Sequence, residues 1–116
     1  MTLDQTNSIF AVELEHRLVK DFLDILILQL VEAQPMWGYM IIKKTESQYG
    51  VKLRHGALYP MLNSLDARGF IRSRKQLEKG RVRKVYEITP EGKKVLDIYL
   101  EFMKKQMSRK GSRSQE

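Results

Sequence analysis

The chain contains no cysteine. That excludes disulfides, thiolate nucleophiles and thiolate-held metals, and it fits a reducing compartment. No apolar run approaches the ~20 residues a membrane span needs. The first residues lack a basic segment followed by a continuous apolar one, so no secretory signal is read. A cytoplasmic protein with no membrane partner is expected. Histidine occurs twice, at His16 and His55, too far apart for metal-ligand spacing, so neither a metal nor a cofactor is expected. No glycine-rich phosphate loop and no nucleophile–base pair is present, which argues against an enzyme. Acidic residues are also the minority. The 14 Asp and Glu face 21 Lys and Arg, a formal net charge of +7. Such a balance suggests a polyanionic partner and says nothing about fold.

The 116 residues, 42% hydrophobic, suffice for one domain with one core. The stretch from Leu53 to Tyr86 organises them. In its first part Leu58, Leu62 and Leu65 recur at helical spacing and Met61 widens the stripe. Arg54, His55, Tyr59, Asn63 and Ser64 lie off that stripe. The second part alternates like a hairpin. From Arg72 to Lys84 it carries seven cations against one acid, Glu78. A helix with a polar face followed by a cationic hairpin is the outline of a winged helix, in which the helix enters the major groove and the hairpin lies along phosphates. The expected fold class is therefore α+β and mainly helical: a winged helix-turn-helix with a β-hairpin wing and dimerisation helices at both ends.

Around this stretch the elements read as follows. Residues 1–14 are either a frayed tail or an arm for a partner subunit. A helix is expected over 15–33, with Leu18, Val19, Phe22, Leu23, Leu26 and Leu30 on one face and Pro35 ending it. A second is expected from Met36 to Ser47, stopped by Gly50, followed by a short apolar link, Val51 and Leu53, that has the makings of a strand. The recognition helix should start at His55 or Gly56, late enough to keep Pro60 near its first turn, and stop at Gly69. The hairpin strands are expected over 71–76 and 82–88, with 77–80 as the tip and Tyr86 and Ile88 on the core face, opposite Val85. Thr89 should cap a last helix with Pro90 at its first position. Its apolar stripe is Val95, Leu96, Tyr99, Phe102 and Met103, running on towards Met107. In domain terms this is an arm (1–14), a winged-helix domain (15–88), a dimerisation helix (89–107) and a disordered basic tail (108–116).

The candidate DNA contacts are Lys52, Arg54, His55, Tyr59 and Asn63 around the recognition helix, and Arg72, Lys79, Arg81, Arg83 and Lys84 on the hairpin. Asn63 can pair bidentately with adenine, or be merely solvated. Tyr59 either packs in the core or bonds a phosphate. Charged edge strands also protect a sheet from aggregation, yet seven cations exceed that need. Trp37 with Met36 and Met40 either packs in the core or lines a pocket for a planar ligand; no small-molecule effector can be named. A homodimer is expected, because the last stripe has no later element to cover it. Its interface is assigned to Leu18, Phe22 and Leu26 near the start and Leu96, Tyr99, Phe102 and Met103 near the end. The alternative to a DNA-binding regulator is an adaptor whose basic surface meets an acidic protein; steep salt dependence separates the two.

These motifs also resemble a family. Gly38-Tyr39-x-Ile41-Ile42, Gly56-x-Leu58-Tyr59-Pro60-x-Leu62-x-x-Leu65, Gly69-Phe70-Ile71 and Arg81-x-Arg83-Lys84-x-Tyr86-x-Ile88-Thr89-x-x-Gly92 occur in the order seen in PadR winged-helix transcriptional regulators. The resemblance spans Asp21 to Met107. It implies a DNA-binding homodimer, usually a repressor, held by its first and last helices. Among members it looks most like one acting on circadian-clock gene expression. One departure is Ala57, where members commonly carry Thr or Ser, so a phosphate contact there is not carried over.

Overall fold

A computed structural model describes residues 3–113, with side chains for 5–108. The elements are α1 (Leu3–Asp21), α2 (Leu23–Ala33), β1 (Met36–Trp37), α3 (Gly38–Tyr49), α4 (His55–Ala67), β2 (Ile71–Glu78), β3 (Arg81–Ile88) and α5 (Pro90–Arg113). This is a winged helix: three helices, α2 to α4, cover a small antiparallel sheet of order β1-β3-β2.

The long first helix is broken where no glycine or proline marks a break. Phe22 leaves helical geometry at φ −125°, ψ 15°, while Phe22 N still donates to Leu18 O and Leu26 N to Phe22 O, each at 3.0 Å. The chain therefore kinks without becoming a loop. α2 is apolar nearly all round and is buried accordingly, with Ile27 and Leu28 at its centre. α1 is helical from Leu3, so the stretch read as tail or arm is regular structure, and its Ile9, Phe10, Val12 and Leu14 are exposed.

Leu58, Leu62 and Leu65 are fully buried and close α4 onto Ile27, Leu28, Ile41, Ile71 and Leu96. The helix starts at His55 as expected, which makes exposed Pro60 its sixth residue, just past the first turn; its missing N–H removes one bond, to the Gly56 carbonyl. Val51 and Leu53 are buried without forming a strand. α4 ends at a left-handed Gly69, after which Phe70 N donates back to Leu65 O at 2.9 Å.

The wing is longer and its turn tighter than expected. Strand pairing runs from Ile71↔Ile88 out to Glu78↔Arg81, leaving only Lys79 and Gly80 as the turn, both with positive φ (50° and 77°). Two such residues in succession match the right-handed twist of the strands. The face assignment of β3 needs correction. Val85 (3% exposed) is as buried as Tyr86 (4%). β3 is the central strand, and β1 fills its second edge, pairing Trp37 with Val85 so that the two side chains lie side by side on one face.

Thr89 caps α5 as expected: its Oγ1 accepts from Gly92 N at 3.1 Å and donates to the Gly69 carbonyl. α5 does not stop at Met107 but continues to Arg113; residues 114–116 of the expected tail lie outside the described residues, as do the first two of the arm. Two of the residues assigned to a subunit interface are core instead. Leu26 and Leu96 are 8% and 0% exposed within the single chain, because α5 packs its first turns on α2. Phe22 and Tyr99 meet each other, ring centroids 6.0 Å apart, so they close the α2–α5 angle inside one protomer. The exposed apolar residues of α5 are Ile98, Leu100, Phe102 and Met107.

Candidate nucleic-acid interface

α4 turns its polar side outward. Asn63 and Ser64 are exposed there, and Tyr59 stacks on His55 at 5.6 Å and 11°. Arg54 and His55 stand exposed at the start of the helix, where free backbone N–H groups favour anions. The Tyr59 phenol lies against the backbone at Gly38, so close that a Cβ there would overlap the hydroxyl. α4 and the start of α3 are thereby locked together through one aromatic side chain. Tyr59 therefore packs through its hydroxyl end against α3, while 39% of the residue stays exposed.

On the wing, alternation decides what each cation can reach. Arg81 and Lys79 stand free near the tip. Arg72 does not, since its Nε donates to Glu87 Oε1 at 2.7 Å across the hairpin. Arg83 is half-buried, its guanidinium 5.0 Å above the Trp37 ring. Lys84 is exposed, with its Nζ 5.8 Å from the Tyr86 ring. Leu77 and Val82, cross-strand partners near the tip, are both exposed.

The expected residues thus fall into separate groups. Tyr59, Asn63, Arg83 and Lys84 come together with Trp37, Gly38, Tyr39 and Tyr86 around a hollow of about 360 Å³ between α4 and the wing root. No carboxylate lines it. Burial raises the Tyr86 phenol above its ordinary value, with Tyr59 and Asp66 adding to the effect, so it stays a neutral donor. Lys52 and Arg54 line a second cavity of about 560 Å³ beside α1, with Glu15, His16 and Lys20. There Lys52 N donates to Glu15 Oε1 at 3.4 Å, which ties α1 to the entry of α4. Trp37 belongs to the first hollow rather than to a pocket with Met36 and Met40, which pack in or against the core. Sequence reading missed its place; β1 is only two residues long and carries no periodic signal. Among the described residues no group of three His, Asp or Glu side chains has the geometry to hold a metal. No helix there is long and apolar enough to cross a membrane.

The model of the PadR-like family of transcriptional regulators matches residues 27–98, more than half the chain. The chain belongs to this family. Its members are transcriptional regulators, not enzymes. The chain is 31% identical to a PadR family regulator from Clostridium difficile, covering 76% of this chain and 96% of that one, with a TM-score of 0.67. It is 29% identical to Bacillus subtilis PadR, crystallised in complex with operator DNA, over 68% of this chain and 46% of that one, with a TM-score of 0.64. It is also 40% identical, over 50 residues, to the transcriptional regulator Rv3488 of Mycobacterium tuberculosis. That match spans 43% of this chain and about half (47%) of the curated relative.

Proposed function

We propose that this PadR-like protein is a homodimeric, sequence-specific DNA-binding regulator acting as a repressor in the cytoplasm. The observation that carries the reading is the junction of α4 and the wing: an outward helix face of Tyr59, Asn63 and Ser64 beside an acid-free cluster of Arg83 and Lys84. α4 would enter the major groove, with Asn63 reading a base edge. Lys52, Arg54 and His55 would meet phosphates at its start, and Lys79, Arg81, Arg83 and Lys84 would hold the backbone from the wing. Arg72, bound to Glu87, is the weakest of the proposed contacts. The B. subtilis relative, solved on its operator, supports the same use of the fold.

The dimer reading is supported by apolar side chains left uncovered on both terminal helices: Ile9, Phe10 and Val12 on α1, and Ile98, Phe102 and Met107 on α5. A two-fold axis would cover both sets and space two α4 helices for successive major grooves. Tyr99 and Met103, half-buried already, would border the interface rather than centre it, as would Leu18 and Phe22.

Titration of duplex DNA against salt tests the reading. Binding through several phosphates should fall steeply with rising salt. Salt-insensitive or absent duplex binding, with retention of an acidic protein instead, would assign the basic surface to protein partners. Circadian-clock genes as targets are a finer proposal, tested by mapping bound sites across the genome.

A further inference from the structure

Trp37 is the single tryptophan of the chain. Its neighbour Met36 is core, but Trp37 itself is only half-buried, at the point where β1 ends and α3 begins. Because Trp37 pairs with Val85 across the sheet, Arg83, two residues earlier on β3, projects from the same face. The Arg83 guanidinium lies over the indole, 5.0 Å from its ring. Two N–H groups of this stack, Trp37 Nε1 and Arg83 Nε, are buried with no acceptor among the described residues. Both side chains line the hollow shared with Tyr59, Asn63 and Lys84.

Such an arrangement lacks one thing, an acceptor. Buried donors without partners are unfavourable, and a guanidinium without a counter-charge more so. The lining supplies donors and positive charge and no carboxylate, in contrast to Arg72, which has Glu87. A compact anion with several acceptor oxygens would supply the counter-charge that the Arg83 guanidinium and the Lys84 ammonium lack there. The indole face also holds the planar guanidinium in one orientation, so little side-chain freedom remains to be lost on binding.

We propose that this hollow is a phosphate seat, and that Trp37 is the positioning residue that presets Arg83 in it. On the DNA-binding reading, on which this inference rests, the occupant is a backbone phosphodiester at the edge of the groove entered by α4. Arg83 then differs from Arg81 and Lys79, whose charges are free to follow the backbone. Trp37 contributes without needing to touch the DNA.

The test compares the wild type with Trp37→Phe, Trp37→Leu, Arg83→Gln and Arg83→Lys, each as the full chain. A mixed-sequence duplex is titrated at several salt concentrations while Trp37 emission is followed where the tryptophan is present. Arg83→Gln should lower the salt slope by about one. Trp37→Leu should weaken low-salt binding about five-fold, the worth of a cation–π contact between half-buried partners, while Trp37→Phe restores most of it because a ring face remains. Arg83→Lys should keep the slope but lose affinity, since an ammonium lacks the planar fork. Wild-type emission should change on adding duplex, and Arg83→Gln should abolish that change. The same emission change with millimolar inorganic phosphate, competing with duplex, assigns the seat to free phosphate as well as to DNA. If Arg83→Gln keeps the full slope, or Trp37→Leu binds like wild type, the seat is overturned while DNA binding stands. Wild-type protein that binds no duplex overturns the functional reading itself. Should Trp37→Leu fail to fold by circular dichroism, the Phe variant and the two Arg83 variants decide the matter.

Discussion

Among the described glycines Gly92 leaves the least room for a side chain, and replacing it with alanine should destabilise the protein. Gly92 is buried in the first turn of α5, and its N–H donates to the Thr89 cap. A Cβ built there would overlap the Phe70 carbonyl oxygen and stand 2.8 Å from the Phe70 carbonyl carbon and 2.9 Å from Ile88 Cγ1. The obstacle is backbone, and it is anchored, because Phe70 O accepts from Thr89 N at 3.1 Å. Relief requires α5 to move away from the end of α4, against the packing of Leu96 on α2. Overpacking of this kind costs about 1–3 kcal/mol or more. Loss of the Thr89–Phe70 bond would add about 1 kcal/mol. The gain in helix propensity from Gly to Ala is at most about 1 kcal/mol, and less in a first turn. The net is a loss of about 2 kcal/mol, or roughly 8 °C in Tm for a chain of this size. Gly56→Ala is the control, for a Cβ there meets nothing within 4 Å and should leave Tm unchanged or slightly raised. Both should be measured by thermal or urea unfolding at one protomer concentration, since dimerisation couples to stability. A Gly92→Ala protein as stable as wild type would refute the reasoning.

Other outcomes follow from the same geometry. Gly38→Ala should push the Tyr59 phenol from its place at the start of α3, with the side chain rather than backbone giving way; duplex affinity should drop several-fold while Tm barely moves, and a large Tm loss with intact binding would contradict it. Asn63→Ala should cost about 1–3 kcal/mol on the preferred site and much less on scrambled duplex, and a uniform or silent effect would remove Asn63 from base reading. Light scattering should give twice the 13.6 kDa chain mass for wild type, and Phe102→Glu, at a position 58% exposed in the single chain, should shift it towards monomer without unfolding it. Stability should fall on the alkaline side. Burial raises the Tyr86 pKa above 10.0, so folding favours the protonated phenol; its contribution is intact below about pH 10 and is lost as pH climbs through the raised value. Urea midpoints that do not decline there would contradict the burial argument, and Tyr86→Phe should flatten the decline.

The sequence by itself determined the elements whose signals are local and repeated. The leucine spacing of α4, the alternation and charge of β2 and β3, and the Thr89-Pro90 start of α5 are each written within a dozen residues, because helix and strand periodicities are backbone properties. The polar face of α4 followed by a cationic hairpin therefore named the fold and the candidate interface before any coordinate. What only the tertiary structure decided was who faces whom. The kink at Phe22 has no proline or glycine behind it and follows from α2 being drawn into the core while α1 is not. Val85 reads as outward by alternation and is buried because β1, far away in sequence, lies beside it. Leu96 reads as interface and is core because α5 begins against α2. Arg72, Arg81 and Arg83 are alike as letters, yet one is held by Glu87, one is free and one lies on Trp37. Periodicity fixes the direction of a side chain from its own element, whereas burial and pairing depend on what long-range packing puts opposite it.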